Sequence, residues 1–243
     1  MTVRIAMWSG PRNISTAMMR GFGSRPDCAV TDEPFYGAFL KATGEAQPMA
    51  AESIASMDCD WASVAEAMNG PAPGGKPIWY QKHMPHHMVG PVAIDDFPDH
   101  RHAFLIRDPG AVVASYAAKN DLRSPERLGY AGLLAYFERE ADRLGHAPPV
   151  IDSADVLADP EGMLRALCAA LDIPWDPAML VWEPGPRDTD GIWGRHWYAA
   201  VERSTGFAPP SAPPALAPDA QRIADACHAD YEALARHRLR AAV

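Results

Sequence analysis

Val3-Arg4-Ile5-Ala6-Met7-Trp8 runs straight into Ser9-Gly10-Pro11-Arg12-Asn13-Ile14-Ser15-Thr16 and on into Ala17-Met18-Met19-Arg20. The first six residues read as a short apolar strand, Gly10-Pro11 as a turn, and the hydroxyl-bearing Ser15 and Thr16 as the first turn of a helix. A strand that turns sharply into a helix aims free backbone N–H groups and the positive dipole end at one point, where Arg12 adds a full charge. That point favours an anion. A nucleoside-triphosphate loop would carry Gly and Lys where Ser15 and Thr16 stand, so the anion is of another kind.

Outward from this stretch the same unit recurs. Apolar runs Cys28–Thr31, Pro77–Gln81, His102–Ile106 and Pro149–Ile151 each end in a polar cluster, and helices are expected over Ala62–Met68, Ala111 to about Asn120, Pro160–Leu171 and Ala217–Arg240. Asp108 caps and Pro109 starts one of them, because an Asp side chain accepts from the free first-turn N–H groups and Pro lacks one. Residues 41–53 are small and polar, an insertion that is flexible or helical, and the Pro-rich Ala208–Pro218 reads as a surface connection. Strands alternating with helices imply an α/β fold. It has three layers around a mainly parallel sheet of about five strands, with ligands gathering beyond the strands' carboxyl ends.

Composition narrows the function. The 243 residues carry a formal charge of −9 and are 48% hydrophobic, enough for a single domain over 1–243 with one large core. An acidic chain is a poor bulk partner for nucleic acid, though it can hold a local basic pocket for a small anion. No apolar run is long enough to span a bilayer, and the first strand begins without room for a signal peptide. Cytoplasmic residence is therefore expected. Cys28, Cys59, Cys168 and Cys227 are widely spaced and read as reduced, mostly buried residues rather than zinc ligands or disulfides.

Taken together, three clusters resemble the cofactor site of sulfotransferases that use 3′-phosphoadenosine 5′-phosphosulfate (PAPS), within the P-loop NTPase-like folds and on the bacterial small-molecule branch. Pro11-Arg12-Asn13-Ile14-Ser15-Thr16 is similar to the family's 5′-phosphosulfate loop. Arg107, with Ser115 eight positions on, has the spacing of the family's 3′-phosphate pair, a strand-end Arg and a Ser two turns into the next helix. Val150-Ile151-Asp152 through Asp159-Pro160-Glu161 resembles a later strand and acidic turn, and Gly191–Trp197 loosely resembles the segment closing over the adenosine. The loop departs at Ile14, where many relatives carry Gly, and this implies a different local path for the backbone.

The resemblance implies sulfuryl transfer from PAPS as co-substrate to a hydroxyl, or an amine, of a small-molecule acceptor. No metal, nucleic acid or membrane partner is implied, and the oligomeric state is left open. Arg12, Lys82 and the first-turn amides with Ser15 and Thr16 are the candidates for stabilising the transferred group. Two residues compete as general base: Glu33 in Asp32-Glu33-Pro34-Phe35-Tyr36, which is favoured, and His83 in Lys82-His83-Met84-Pro85. Tyr36 and Trp193 are candidates for the acceptor pocket. His83, His86 and His87 lack the ligand spacing of a metal site. Two alternatives stand beside this reading: a kinase-like phosphoryl transferase with Asp32 or Asp152 on magnesium, and a nucleotide-binding protein without turnover.

Overall fold

The structure is a computed structural model that describes residues 2–117, 122, 124–210 and 215–241. Five strands, β1 (Val3–Ser9), β2 (Cys28–Asp32), β3 (Ile78–His83), β4 (Arg101–Ile106) and β5 (Val150–Asp152), form one sheet in the order β2-β3-β1-β4-β5. Every neighbouring pair is parallel. The helices are α1 (Ser15–Gly23), α2 (Tyr36–Thr43), α3 (Ala50–Ser56), α4 (Trp61–Asn69), α5 (Pro109–Ala117), α6 (Tyr130–Leu144), α7 (Ser153–Ala158), α8 (Pro160–Ala170), α9 (Gly194–Trp197) and α10 (Pro218–Ala235).

Parallel strands are covered on both faces, so their residues are apolar in both phases of the pleat. Along β1, Ile5 and Met7 join the core built with Met18, Met19 and Phe22 of α1 and Met163, Leu164 and Leu167 of α8. Ala6 and Trp8 point the other way, into the core built with Leu133 and Phe137 of α6 and Leu234 of α10. The result is the expected three-layer α/β/α arrangement. No helix among the described residues is long and apolar enough to cross a membrane. All four cysteines are free thiols, and three of them are buried.

Several boundaries differ from the sequence reading. β3 does not stop at Gln81 but continues through Lys82 and His83, because the ladder holds: Lys82 pairs in register with Asp32 on one side and Met7 on the other. α6 was not anticipated at all, although its buried Tyr130, Leu133, Tyr136, Phe137 and Glu140 trace one helical face. α2 begins inside what reads as a loop. α10 ends at Ala235 rather than Arg240, since the chain beyond it turns to pair with β5, Leu239 N–H donating to the Val150 carbonyl at 2.8 Å. Asp108 and Pro109 open α5 as expected, the carboxylate accepting from Ala111 N–H at 2.9 Å. The expected end of that helix at Asn120, and residues 211–214 of the Pro-rich connection, lie outside the described residues.

Candidate functional site

The carboxyl ends of β1, β2, β3 and β4 open onto one cavity of about 410 Å³. Pro11, Arg12, Asn13, Ile14, Ser15 and Thr16 of the first loop line it, with Glu33 after β2, Lys82 on β3, and Arg107 and Ser115 at the start of the β4-α5 unit. Residues about a hundred positions apart thus meet. The Arg12 Nε donates to Ser115 Oγ at 3.1 Å, and Arg107 Nη1 donates to the Arg12 carbonyl at 2.8 Å. Among the described residues neither guanidinium forms a salt bridge. Burial, with Arg107's charge adding to it, lowers the Arg12 pKa, and burial likewise lowers that of Arg107. Two neighbouring, partly desolvated cations that form no salt bridge among the described residues make a site that a polyanion relieves.

The loop's shape has local causes. Gly10 is required because a Cβ there would come 2.4 Å from the Leu128 carbonyl oxygen. Asn13 turns inward, its Nδ2 donating to the Leu105 carbonyl at 3.2 Å, so its side chain fastens the loop to β4 rather than facing the cavity's content. Ile14 has φ 56° and ψ 14°. That is the left-handed conformation a Gly would supply, so the expectation of a different path is corrected: an isoleucine is held in it. Its side chain packs at the edge of the core beneath α1. A β-branched residue in this conformation carries roughly 1–2 kcal/mol of strain. Ile14→Gly is therefore expected to change the unfolding free energy by less than about 1 kcal/mol, relief offsetting lost packing, where truncating an unstrained isoleucine costs about 2–5 kcal/mol. Chemical denaturation checks this, and a loss above about 2 kcal/mol would exclude the strain.

Across the cavity lies an ionic cluster. Lys82, whose side chain is 1% exposed, donates to Asp32 Oδ1 at 2.8 Å, to Glu33 Oε1 through a short contact, and to Tyr198 Oη at 2.9 Å. Tyr198 in turn donates to Asp32 Oδ2 at 2.7 Å and accepts from Trp193 Nε1 at 3.2 Å. All three ammonium protons are engaged. Burial alone would lower the Lys82 pKa, but Asp32 and Glu33 outweigh it and hold it well above the usual value. One cation cannot neutralise two carboxylates. Burial, reinforced by Asp32 and opposed by Lys82, pushes Glu33 upward, the direction that suits a base operating near neutral pH. Glu33 itself has φ 42°, pinned by its N–H to the Lys82 carbonyl at 3.0 Å and its own carbonyl to Tyr36 N–H at 3.0 Å. Arg12, Ile14 and Glu33 are all left-handed non-glycine residues, and all three line the cavity.

A model of the family described as "Sulfotransferase domain" matches residues 3–237. The chain belongs to the sulfotransferase family. The sulfotransferase from Alicyclobacillus acidocaldarius shares its fold with a TM-score of 0.56 at 14% identity, over 98% of both chains. The sulfotransferase domain from the Synechococcus PCC 7002 olefin synthase does so at 0.50 and 16% identity, over 93% of this chain and 94% of that one. Closer in sequence is the Arabidopsis thaliana protein named branched-chain-amino-acid aminotransferase-like protein 2, 36% identical over 214 residues, which are 88% of this chain and 38% of that protein. The chain thus spans well under half the length of that relative.

Within this sulfotransferase domain the residues singled out from sequence do not all gather. His83 does not face the cavity: on a strand its side chain opposes that of Lys82, and it stacks on Trp8 with ring centroids 4.7 Å apart on the far side of the sheet. Its Nε2 lies 3.2 Å from Gln81 Oε1, and burial, with His100 and His102, holds its pKa well below the usual value. The alternative of His83 as base is withdrawn on this geometry. Lys82 is present but committed to the carboxylates. Tyr36 and Trp193 both line the cavity, edge to face at 4.9 Å. Two further residues to which the sequence reading assigns no role, Tyr198 and His87, belong to the site. Tyr198 carries no local signal, but Asp32 and Lys82, each next to a strand end, would have been paired by guessing that β2 and β3 are neighbours. No group of three His, Cys, Asp or Glu among the described residues could hold a metal ion.

Proposed function

We propose that this sulfotransferase domain moves a sulfuryl group from PAPS to a hydroxyl, or an amine, of a small-molecule acceptor in the cytoplasm. What supports this above all is that two cations with no salt bridge among the described residues, Arg12 and Arg107, and a lysine-held carboxylate, Glu33, face the same cavity. The two guanidiniums and the loop amides hold the nucleotide's charged groups, with Ser115 beside Arg12. Glu33 takes the acceptor's proton as the acceptor oxygen bonds to sulfur. The donor supplies the sulfuryl group, its S–O bond to the 5′-phosphate breaking with the electron pair leaving on the nucleotide. Lys82 holds Glu33 in place, and Tyr36 and Trp193 wall the acceptor's side.

A kinase-like use of the same sheet fits less well. Asp32 is spent on Lys82, Tyr198 and the Gly191 N–H at 3.1 Å, and Asp152 caps Ala154 N–H and accepts from Tyr231 Oη at 2.8 Å. Neither is free for magnesium. Calorimetry with 3′-phosphoadenosine 5′-phosphate against ATP plus magnesium separates the two, and metal-dependent preference for ATP would reject the sulfotransferase reading. Arg107→Ala is expected to weaken 3′-phosphoadenosine 5′-phosphate binding by about 1.5–3 kcal/mol, the worth of a charge-assisted hydrogen bond. Unchanged affinity would remove Arg107 from the phosphate site.

A further inference from the structure

His87 follows β3 on a short turn, Pro85–His87, and its side chain is 5% exposed where it lines the cavity. Its ring is clamped, stacked on Tyr36 at 4.9 Å and on Phe39 at 4.8 Å, with His86 against it edge-on at 4.4 Å. Among the described residues the Nδ1 has no hydrogen-bond partner, and it lies 3.8 Å from Glu33 Oε2. Lys82 holds the other oxygen, Oε1. The carboxylate that carries the proposed base function is thus fixed at one oxygen, and a rigid, unpartnered nitrogen waits beside the second.

We infer that His87 is a positioning residue for Glu33: in its Nδ1–H tautomer it donates to Oε2 when the cavity is filled, and so fixes the oxygen that receives the acceptor's proton. This rests on the reading of Glu33 as base. The gap of 3.8 Å has to tighten to hydrogen-bond distance, as catalytic hydrogen bonds that are long in the free protein do on going to the liganded state. The groups facing the imidazole are Glu33, Lys82, His86 and the Tyr36 phenol, His83 acts on it from the other face of the sheet, and burial, reinforced by His86 and Lys82, holds its pKa well below the usual value. Neutrality matters to the chemistry. An imidazolium would add a second positive charge beside the carboxylate and weaken it as a base, whereas a neutral N–H orients it with a smaller loss of basicity.

The full-length protein carrying ¹³C-carboxyl glutamate reports this directly, with the Glu33 resonance identified by its disappearance in Glu33→Gln. The titration is run with and without saturating 3′-phosphoadenosine 5′-phosphate in wild type, His87→Phe and His87→Asn. Phe keeps the stacked ring and removes the donor, while Asn returns an N–H near the position of Nδ1. Losing a hydrogen bond to the charged form raises a carboxyl pKa, so the nucleotide-saturated midpoint of Glu33 rises by about one pH unit in His87→Phe and returns in His87→Asn. The acid limb of turnover moves with it. A midpoint that is the same in His87→Phe as in wild type, with and without nucleotide, overturns the inference and leaves His87 a packing residue. Failure of the sulfotransferase reading is seen separately, as absence of 3′-phosphoadenosine 5′-phosphate binding in wild-type calorimetry.

Discussion

Glu33→Gln is expected to lower turnover by about 10²–10⁴-fold while leaving 3′-phosphoadenosine 5′-phosphate affinity within about threefold of wild type, the loss typical of removing a positioned general base. The amide has the shape of the carboxylate and keeps an oxygen for Lys82, but it cannot take a proton. Lys82 retains Asp32 as a counter-charge, so no buried ion is stranded and the fold survives the change. The two guanidiniums proposed to hold the nucleotide are untouched. Product formation is followed by mass spectrometry with an acceptor found by screening the wild type for sulfation, and wild-type turnover in the variant would strip Glu33 of its role. The pH dependence has a definite sign. With its pKa raised by burial, Glu33 is a base only above that raised value, so activity falls on acidification at a higher pH than an exposed glutamate would give.

Acidification is also expected to unfold the protein. Behind the sheet, His83 and His100 both lie against Gln81 Oε1, at 3.2 and 3.1 Å, and Trp8 Nε1 donates to His102 Nδ1 at 3.0 Å. Burial lowers all three pKa values, that of His100 to about 3. Because the unfolded chain titrates near the ordinary histidine value, it binds more protons than the folded chain below that pH, and stability falls as pH falls. For a histidine that stays neutral in the fold, as His100 does, the loss between pH 7.5 and 5.0 is about 2 kcal/mol, and His83 and His102 add losses of the same sign. Glu33, Asp152 and Asp190, whose pKa values burial raises, act in the opposite direction and reduce the net loss. Urea titrations at the two pH values measure the result. An equal unfolding free energy at both would overturn the expected acid lability.

The five strands were legible because each is a short apolar run closed by Pro, Gly or a charged residue, and parallel order follows from the helices between them. What was misread is instructive. Lys82 and His83 are polar and so look like a loop, yet an interior strand continues as long as its neighbours supply hydrogen bonds, and both of its neighbours do. Once they belong to a strand, the pleat sends them to opposite faces, and only one can reach the cavity. The Tyr130–Leu144 helix has a legible apolar spacing between Gly129 and Gly145. The Arg107 and Ser115 spacing was visible because both lie on one strand-to-helix unit. The contacts that complete the cluster were not, since Tyr198 and Gly191 reach Asp32 across more than 150 residues. At Ile14 the residue-type rule for left-handed backbone pointed to a different path. Core packing at Ile14 and the Asn13 anchor to β4 hold the chain in the conformation all the same.

β3 is a beam with two loads. In register it pairs Lys82 with Asp32 on the cavity side, while the next residue, His83, leans on Trp8 in the back wall. The proton inventory of the reaction and that of the fold are therefore carried by adjacent residues of one strand, facing away from each other. The acid edge of this protein's working range is then a mechanical limit as much as a chemical one: protons that crowd onto the back of the strand loosen the frame on which the front is aligned.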